Sequence, residues 1–65
     1  MQKYRLLILH ANGLETPVEV KACDDAQALS RGGISWVNSQ STKNIGHLEK
    51  MTDGYWVLMK TFTKN

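Results

Sequence analysis

Residues 28–37 read "ALSRGGISWV", with Gly32 and Gly33 side by side between two apolar patches. The pair admits two readings. A helix that stops at Arg31 would use Gly32 as its C-terminal cap and leave "ISWVNS" as a short strand. A helix that runs through the pair loses about 1 kcal/mol at each interior glycine relative to alanine. In return it gathers Ala26, Leu29, Gly33, Trp36 and Val37 on one stripe, spaced i, i+3, i+7, i+10 and i+11. Gly33, on the buried side of that stripe, would let the helix backbone come close to a sheet. The continuous helix over residues 24–39 accounts for five positions where the strand accounts for four, so it is preferred.

The residues before the pair support a helix start. "CDDAQAL" begins at residue 23, where Cys23 or Asp24 can cap the helix and Asp24 and Asp25 place negative charge at its N-terminus. Upstream, "KYRLLILH" (residues 3–10) and "TPVEVKA" (residues 16–22) read as strands joined by a turn at Asn12-Gly13, both of which accept positive φ. Pro17 suits an edge strand, where a missing N–H costs nothing. Downstream, "NSQSTKN" (residues 38–44) reads as a loop. "IGHLEKM" and "YWVLMKTF" then read as two strands turning at Asp53-Gly54. The pattern predicts a single α+β domain over residues 1–65 with order ββαββ, one helix packed on a four-stranded, mostly antiparallel sheet.

Alternation within the strands divides the sheet into two faces. The helix-facing set is expected to be Tyr4, Leu6, Ile8, Val18, Val20, Tyr55, Val57 and Met59. The opposite face then holds Leu7, Leu9, Trp56, Leu58 and Phe62, with Lys3, Arg5, Lys60 and Lys64 around them. The first and fourth strands are apolar on both sides, which predicts that they lie centrally with the other two outside. An apolar patch of more than a few hundred Å² on an open face marks an interaction surface. Trp56 and Phe62 are its aromatic anchors, with Leu58, Leu7, Leu9, Arg5 and Lys60 as further partner-binding residues. Self-association to a homodimer through the same face is one version of this. A misassigned face, or a loop folded over the patch, is the bland alternative. A rival use of the face is nucleic acid, with Lys3, Arg5, Lys60 and Lys64 on phosphates and Trp56 and Phe62 stacking on bases. Leu7, Leu9 and Leu58 neither stack nor pair with phosphate, so a protein partner is favoured.

Other chemistry finds little footing. Sixty-five residues with a net charge of +2 are only mildly basic, too weakly to argue for nucleic acid from charge alone. Cys23 is the one cysteine, which excludes an internal disulfide and suits a reducing compartment. Cys23, His10 and His47 have no metal-ligand spacing, so no metal or other cofactor is expected. They read as a buried or half-buried thiol and two strand histidines. Asp24-Asp25 has an adequate role at the helix start, and His10 with Cys23 lacks an orienting third member, so no catalytic residue and no enzyme are expected. The segment "MQKYRLLILHANG" offers four consecutive apolar residues, fewer than the roughly 7–15 of a signal peptide core. No run approaches a membrane span, and a cytoplasmic chain is expected.

The run "TPVEVKACDDAQALSRGGISWVNSQ", a strand followed by an acidic cap and an alanine-rich helix, resembles very small bacteriophage-encoded inhibitors. These include some anti-CRISPR proteins and phage inhibitors of host RNA polymerase. The likeness is one of size and layout, with "VKACDDAQAL" as its local echo. It transfers no individual residue. It implies a mode of action, in which a compact protein occludes a surface on a larger host protein or complex.

Overall fold

Two tight turns and one helix divide the chain into two hairpins. The structure is a computed structural model and describes residues 2–39 and 45–63. Its elements are β1 (Tyr4–Leu9), β2 (Glu15–Val20), α1 (Asp25–Val37), β3 (Ile45–Thr52) and β4 (Tyr55–Thr63). Both hairpins close where the glycines predict. Gly13 takes φ +88° and its N–H donates to the His10 carbonyl at 3.0 Å, while the Asn12 Oδ1 accepts from the Leu14 N–H at 3.1 Å. In the second turn Asp53 and Gly54 both have positive φ, 51° and 87°, the pair of values that a type I′ hairpin requires. Residues 40–44 of the "NSQSTKN" loop, and Lys64, lie outside the described residues.

The sheet has the order β2-β1-β3-β4 with every neighbouring pair antiparallel. The ββαββ architecture is as the pattern predicts, and Pro17 does sit on an edge strand. The strand order differs from the expected one: β3, not β4, is central beside β1. The apolar residues on both sides of β4 belong to an exposed edge, where Tyr55 is 75% and Leu58 52% exposed. β3 looks polar because its helix-facing positions hold Gly46, Leu48 and Lys50, so Leu48 supplies its one large buried side chain.

The helix runs unbroken through both glycines. Asp24 caps it, its Oδ1 accepting from the Gln27 N–H at 2.8 Å, while the Gln27 Oε1 accepts from the Cys23 N–H at 2.7 Å. The first bond satisfies one of the donors that a helix start exposes, and the second ties the Gln27 side chain back to the residue before the cap. The buried stripe, however, is Ala28, Gly32 and Trp36, and not the one built on Gly33. Leu29 and Val37, expected on the buried side, are exposed, as is Ile34. The helix crosses the sheet so closely that only small residues fit at the crossing. A Cβ on Gly32 would meet Leu48 Cδ1 at 3.0 Å, whereas one on Gly33 would meet nothing nearer than Phe62 Cε1 at 4.0 Å. Gly33→Ala is therefore expected to raise stability by about 0.5–1 kcal/mol through helix propensity. Gly32→Leu is expected to lower it by about 1–3 kcal/mol through overpacking. Urea denaturation of the two variants checks both signs.

The core lies between α1 and the even-numbered face of β1. Tyr4, Leu6 and Ile8 are buried there with Val20, Ala22, Ala28, Trp36 and Leu48, and Val18, Met59 and Phe62 pack against them. Tyr55 and Val57 stay outside this cluster and exposed, at the end of β4 farther from Phe62. One polar network closes the helix start. The Tyr4 hydroxyl donates to Asp25 Oδ1 at 2.7 Å, and Lys50 Nζ reaches the same oxygen at 3.0 Å.

These bonds make the fold sensitive to pH at both extremes. The hydrogen bond from Tyr4, then that from Lys50, holds the Asp25 carboxyl below its ordinary value of 3.8. The same bond to Asp25, together with burial, pushes the Tyr4 hydroxyl up to about 12 from 10.0. A lowered carboxyl stabilises the fold above its unfolded pKa, and that contribution fades as pH falls from 3.8 through the folded value. A raised phenol contributes below pH 10.0, and its contribution is lost as pH rises towards about 12. The urea midpoint of the wild type is expected to decline in both windows. Tyr4→Phe should flatten the alkaline decline and shrink the acid one, with the Lys50 contribution remaining.

Candidate functional site: the open face of the sheet

The face turned away from α1 is defined by register. Arg5, Leu7 and Leu9 on β1 stand opposite Glu19, Pro17 and Glu15 on β2, and opposite Glu49, His47 and Ile45 on β3. On β4, Leu58 pairs with Glu49 and Trp56 with Met51, so both join this face. Five of the seven residues expected to bind a partner therefore meet here: Arg5, Leu7, Leu9, Trp56 and Leu58.

Phe62 and Lys60 do not join them. Leu48 pairs with Lys60 and Glu49 with Leu58, which leaves Met59 as an extra residue in β4. This bulge reverses the alternation beyond it. Phe62 passes to the helix side, where its ring stacks on Trp36 with centroids 6.0 Å apart and planes 24° apart. Lys60 follows, with Nζ 5.7 Å from the Phe62 ring centre. Lys3, just before β1, is exposed.

Towards one end of the open face Arg5 does two things at once. Its Nε donates to Glu49 Oε1 at 2.7 Å, and its guanidinium carbon lies 4.3 Å from the centre of the Trp56 ring. The Arg5 and Trp56 side chains thus meet across β3. The Glu49 side chain is only 14% exposed, so this pair is partly shielded from water and holds more firmly than a surface ion pair. The result is a packed polar cluster with leucines alongside: Leu7 and Leu9 half-buried, Leu58 exposed. Glu49 is a site residue that alternation alone does not single out. The signal for it is positional, since an acid opposite Arg5 is visible only once β1 is paired with β3. A separate apolar depression of about 410 Å³ lies on the other side of β4, lined by Gly33, Ile34, Val37 and Phe62.

The residues weighed for catalysis are placed apart or occupied. Asp24 caps the helix and Asp25 binds Tyr4 and Lys50. His10 follows the last residue of β1, outside the strand, and its Nε2 is 2.8 Å from Thr16 Oγ1. Cys23 follows β2 beyond Val20, the partner of Tyr4 at the opposite end of β1, so the strand's length separates the two. Cys23 is exposed rather than buried, since the chain leaves the sheet there to enter the helix. Among the described residues no three His, Cys, Asp or Glu side chains are grouped to hold a metal ion. No helix among them is long and apolar enough to cross a membrane. Comparison with family models, with curated proteins and with solved structures found no match for this chain.

Proposed function

We propose that this chain is a non-enzymatic protein-binding module that acts by occupying a surface of a larger protein or complex. The observation that supports the reading best is exposed apolar surface along β4 and the open face. Leu58 is exposed on that face near Trp56 and Ile45 at its far end, while Tyr55 and Val57 are exposed on the other side of β4. A domain of this size gains nothing in stability from such residues in water, whereas a partner that covers them gains their transfer free energy. Surface occlusion is also the mode of action implied by the likeness to phage-encoded inhibitors. A base-stacking platform draws less support, because it needs Trp56 and Phe62 side by side and they lie on opposite sides of the sheet.

The test is capture of a partner by the tagged protein from nuclease-treated host-cell lysate, read by mass spectrometry. Leu58→Asp is expected to abolish capture, and Trp56→Ala to weaken binding by about 2 kcal/mol. Both variants should keep the circular dichroism of the wild type, since neither side chain belongs to the buried core. A catch lost on nuclease treatment, with affinity for nucleic acid falling steeply with salt, would overturn the reading. Size-exclusion chromatography of the same variants tests whether the partner is a second copy.

A further inference from the structure

An open groove of about 890 Å³ runs from the Trp56 end of the open face to the link between β2 and α1. Four cations line it, Lys3, Arg5, Lys21 and Arg31, against one carboxylate, Glu19. We propose that this groove binds an acidic peptide segment of the partner, a proposal that rests on the protein-binding reading and names the chemistry of what is bound.

The cations differ in what they have free. Arg5 is committed to Glu49 and Trp56. One Arg31 amine donates to the Lys21 carbonyl at 2.6 Å, which pins the strand-to-helix link and leaves the other guanidinium donors available. Lys3 and Lys21 make no ion pair among the described residues. Two ammonium groups and part of a guanidinium therefore share one concave surface whose lining holds Glu19 as its one carboxylate. Their mutual repulsion is relieved by incoming carboxylates, and a concave surface of one sign attracts them from a distance. Glu19, opposite Arg5, closes the groove to anions at that edge and steers them towards Lys3 and Lys21.

The aromatic residues decide between a peptide and a single-stranded nucleic acid. Bases need open rings on which to stack. Trp56 carries the Arg5 guanidinium on its ring, and Phe62 is packed on Trp36 beyond the sheet. Pro17 and Val20 add apolar lining, and the groove shares Arg5, Pro17 and Trp56 with the open face. A segment with acidic residues beside apolar ones would engage both surfaces together.

The probe is an acetylated, amidated peptide of sequence Leu-Glu-Glu-Leu-Glu-Glu, titrated into nitrogen-15-labelled full-length protein, with a short oligothymidylate in a parallel arm. The peptide is expected to give saturable shifts at Lys3, Lys21, Ala22, Arg31 and the Trp56 indole. The double variant Lys3→Glu/Lys21→Glu, which alters only exposed side chains, should weaken the peptide about tenfold or more. Absent or non-saturating shifts, or the same affinity in the double variant, would overturn the proposal. So would an oligothymidylate that moves the same resonances at lower concentration. Lysate capture separates this failure from that of the parent reading. If the double variant captures the partner as well as the wild type while Leu58→Asp does not, the groove proposal falls and the protein-binding reading stands. If the wild type's catch is lost on nuclease treatment, the parent reading falls.

Discussion

Trp36→Ala is expected to unfold the domain. The indole is 6% exposed, stacks on Phe62 and lies directly over Gly46, where it fills a core position that the strand leaves empty. It is also the one large residue on the buried stripe of α1, whose other members are Ala28 and Gly32. Truncating a buried tryptophan costs about 3–5 kcal/mol. A 65-residue domain has roughly 3–10 kcal/mol in total at the usual stability per residue, so the loss takes most or all of it. Circular dichroism and urea titration read the outcome directly. Trp56→Ala is the control, because the same truncation on the open face should leave the fold intact. A folded Trp36→Ala with near wild-type midpoint would mean that the helix is held to the sheet by other contacts.

Gly46→Val is expected to destabilise by about 3 kcal/mol, against the ordinary trend. Valine in place of glycine within a strand normally helps, because it restores β-propensity and a packing side chain. Here the first added carbon would lie 2.8 Å from Trp36 Cε3 and 3.2 Å from Leu6 Cδ1. The ring cannot retreat without lifting the helix, and Leu6 is itself completely buried. The sign of the effect is therefore the diagnostic, and a stabilised Gly46→Val would show that the ring does not rest on the strand.

Gly46 and Trp36 also explain what the sequence conceals. Both hairpin turns, the helix start, the ββαββ order and the buried side of β1 follow from local patterns, because each depends on residues close together in the chain. Strand order does not. β3 reads as a polar outer strand because its core position at Gly46 is filled by a side chain from α1, ten residues earlier. The phase of the helix is hidden for a related reason. Summed hydrophobicity favours a stripe through Leu29 and Val37, yet close approach to the sheet selects Ala28 and Gly32 and pushes the larger residues to the flanks. In the candidate site, Arg5, Leu7 and Leu9 lie on a strand of unbroken alternation and were legible. Phe62 and Lys60 were not, because the extra residue at Met59 sits in the continuous run "WVLM", where no break in pattern marks it.

The pairing of β1 with β3 has a consequence for how quickly the chain can fold. Each hairpin closes a short loop, and hairpins form in microseconds. Joining them is a different event. Tyr4 meets Lys50 and Leu6 meets Leu48, partners more than forty positions apart in the chain, with the helix between them. The helix can pack on the first hairpin by itself, through Tyr4 and Asp25 among others. The pairing of β1 with β3 must close the loop that spans β2, the helix and residues 38–44, so this docking step carries a loop-closure entropy that neither hairpin does. Leu6 and Leu48 are paired and buried at that seam, Leu48 against Gly32 and Leu6 against Gly46, and are expected to form the nucleus. Substitutions there should slow folding, whereas those on the outer strand β4 should act mainly by speeding unfolding.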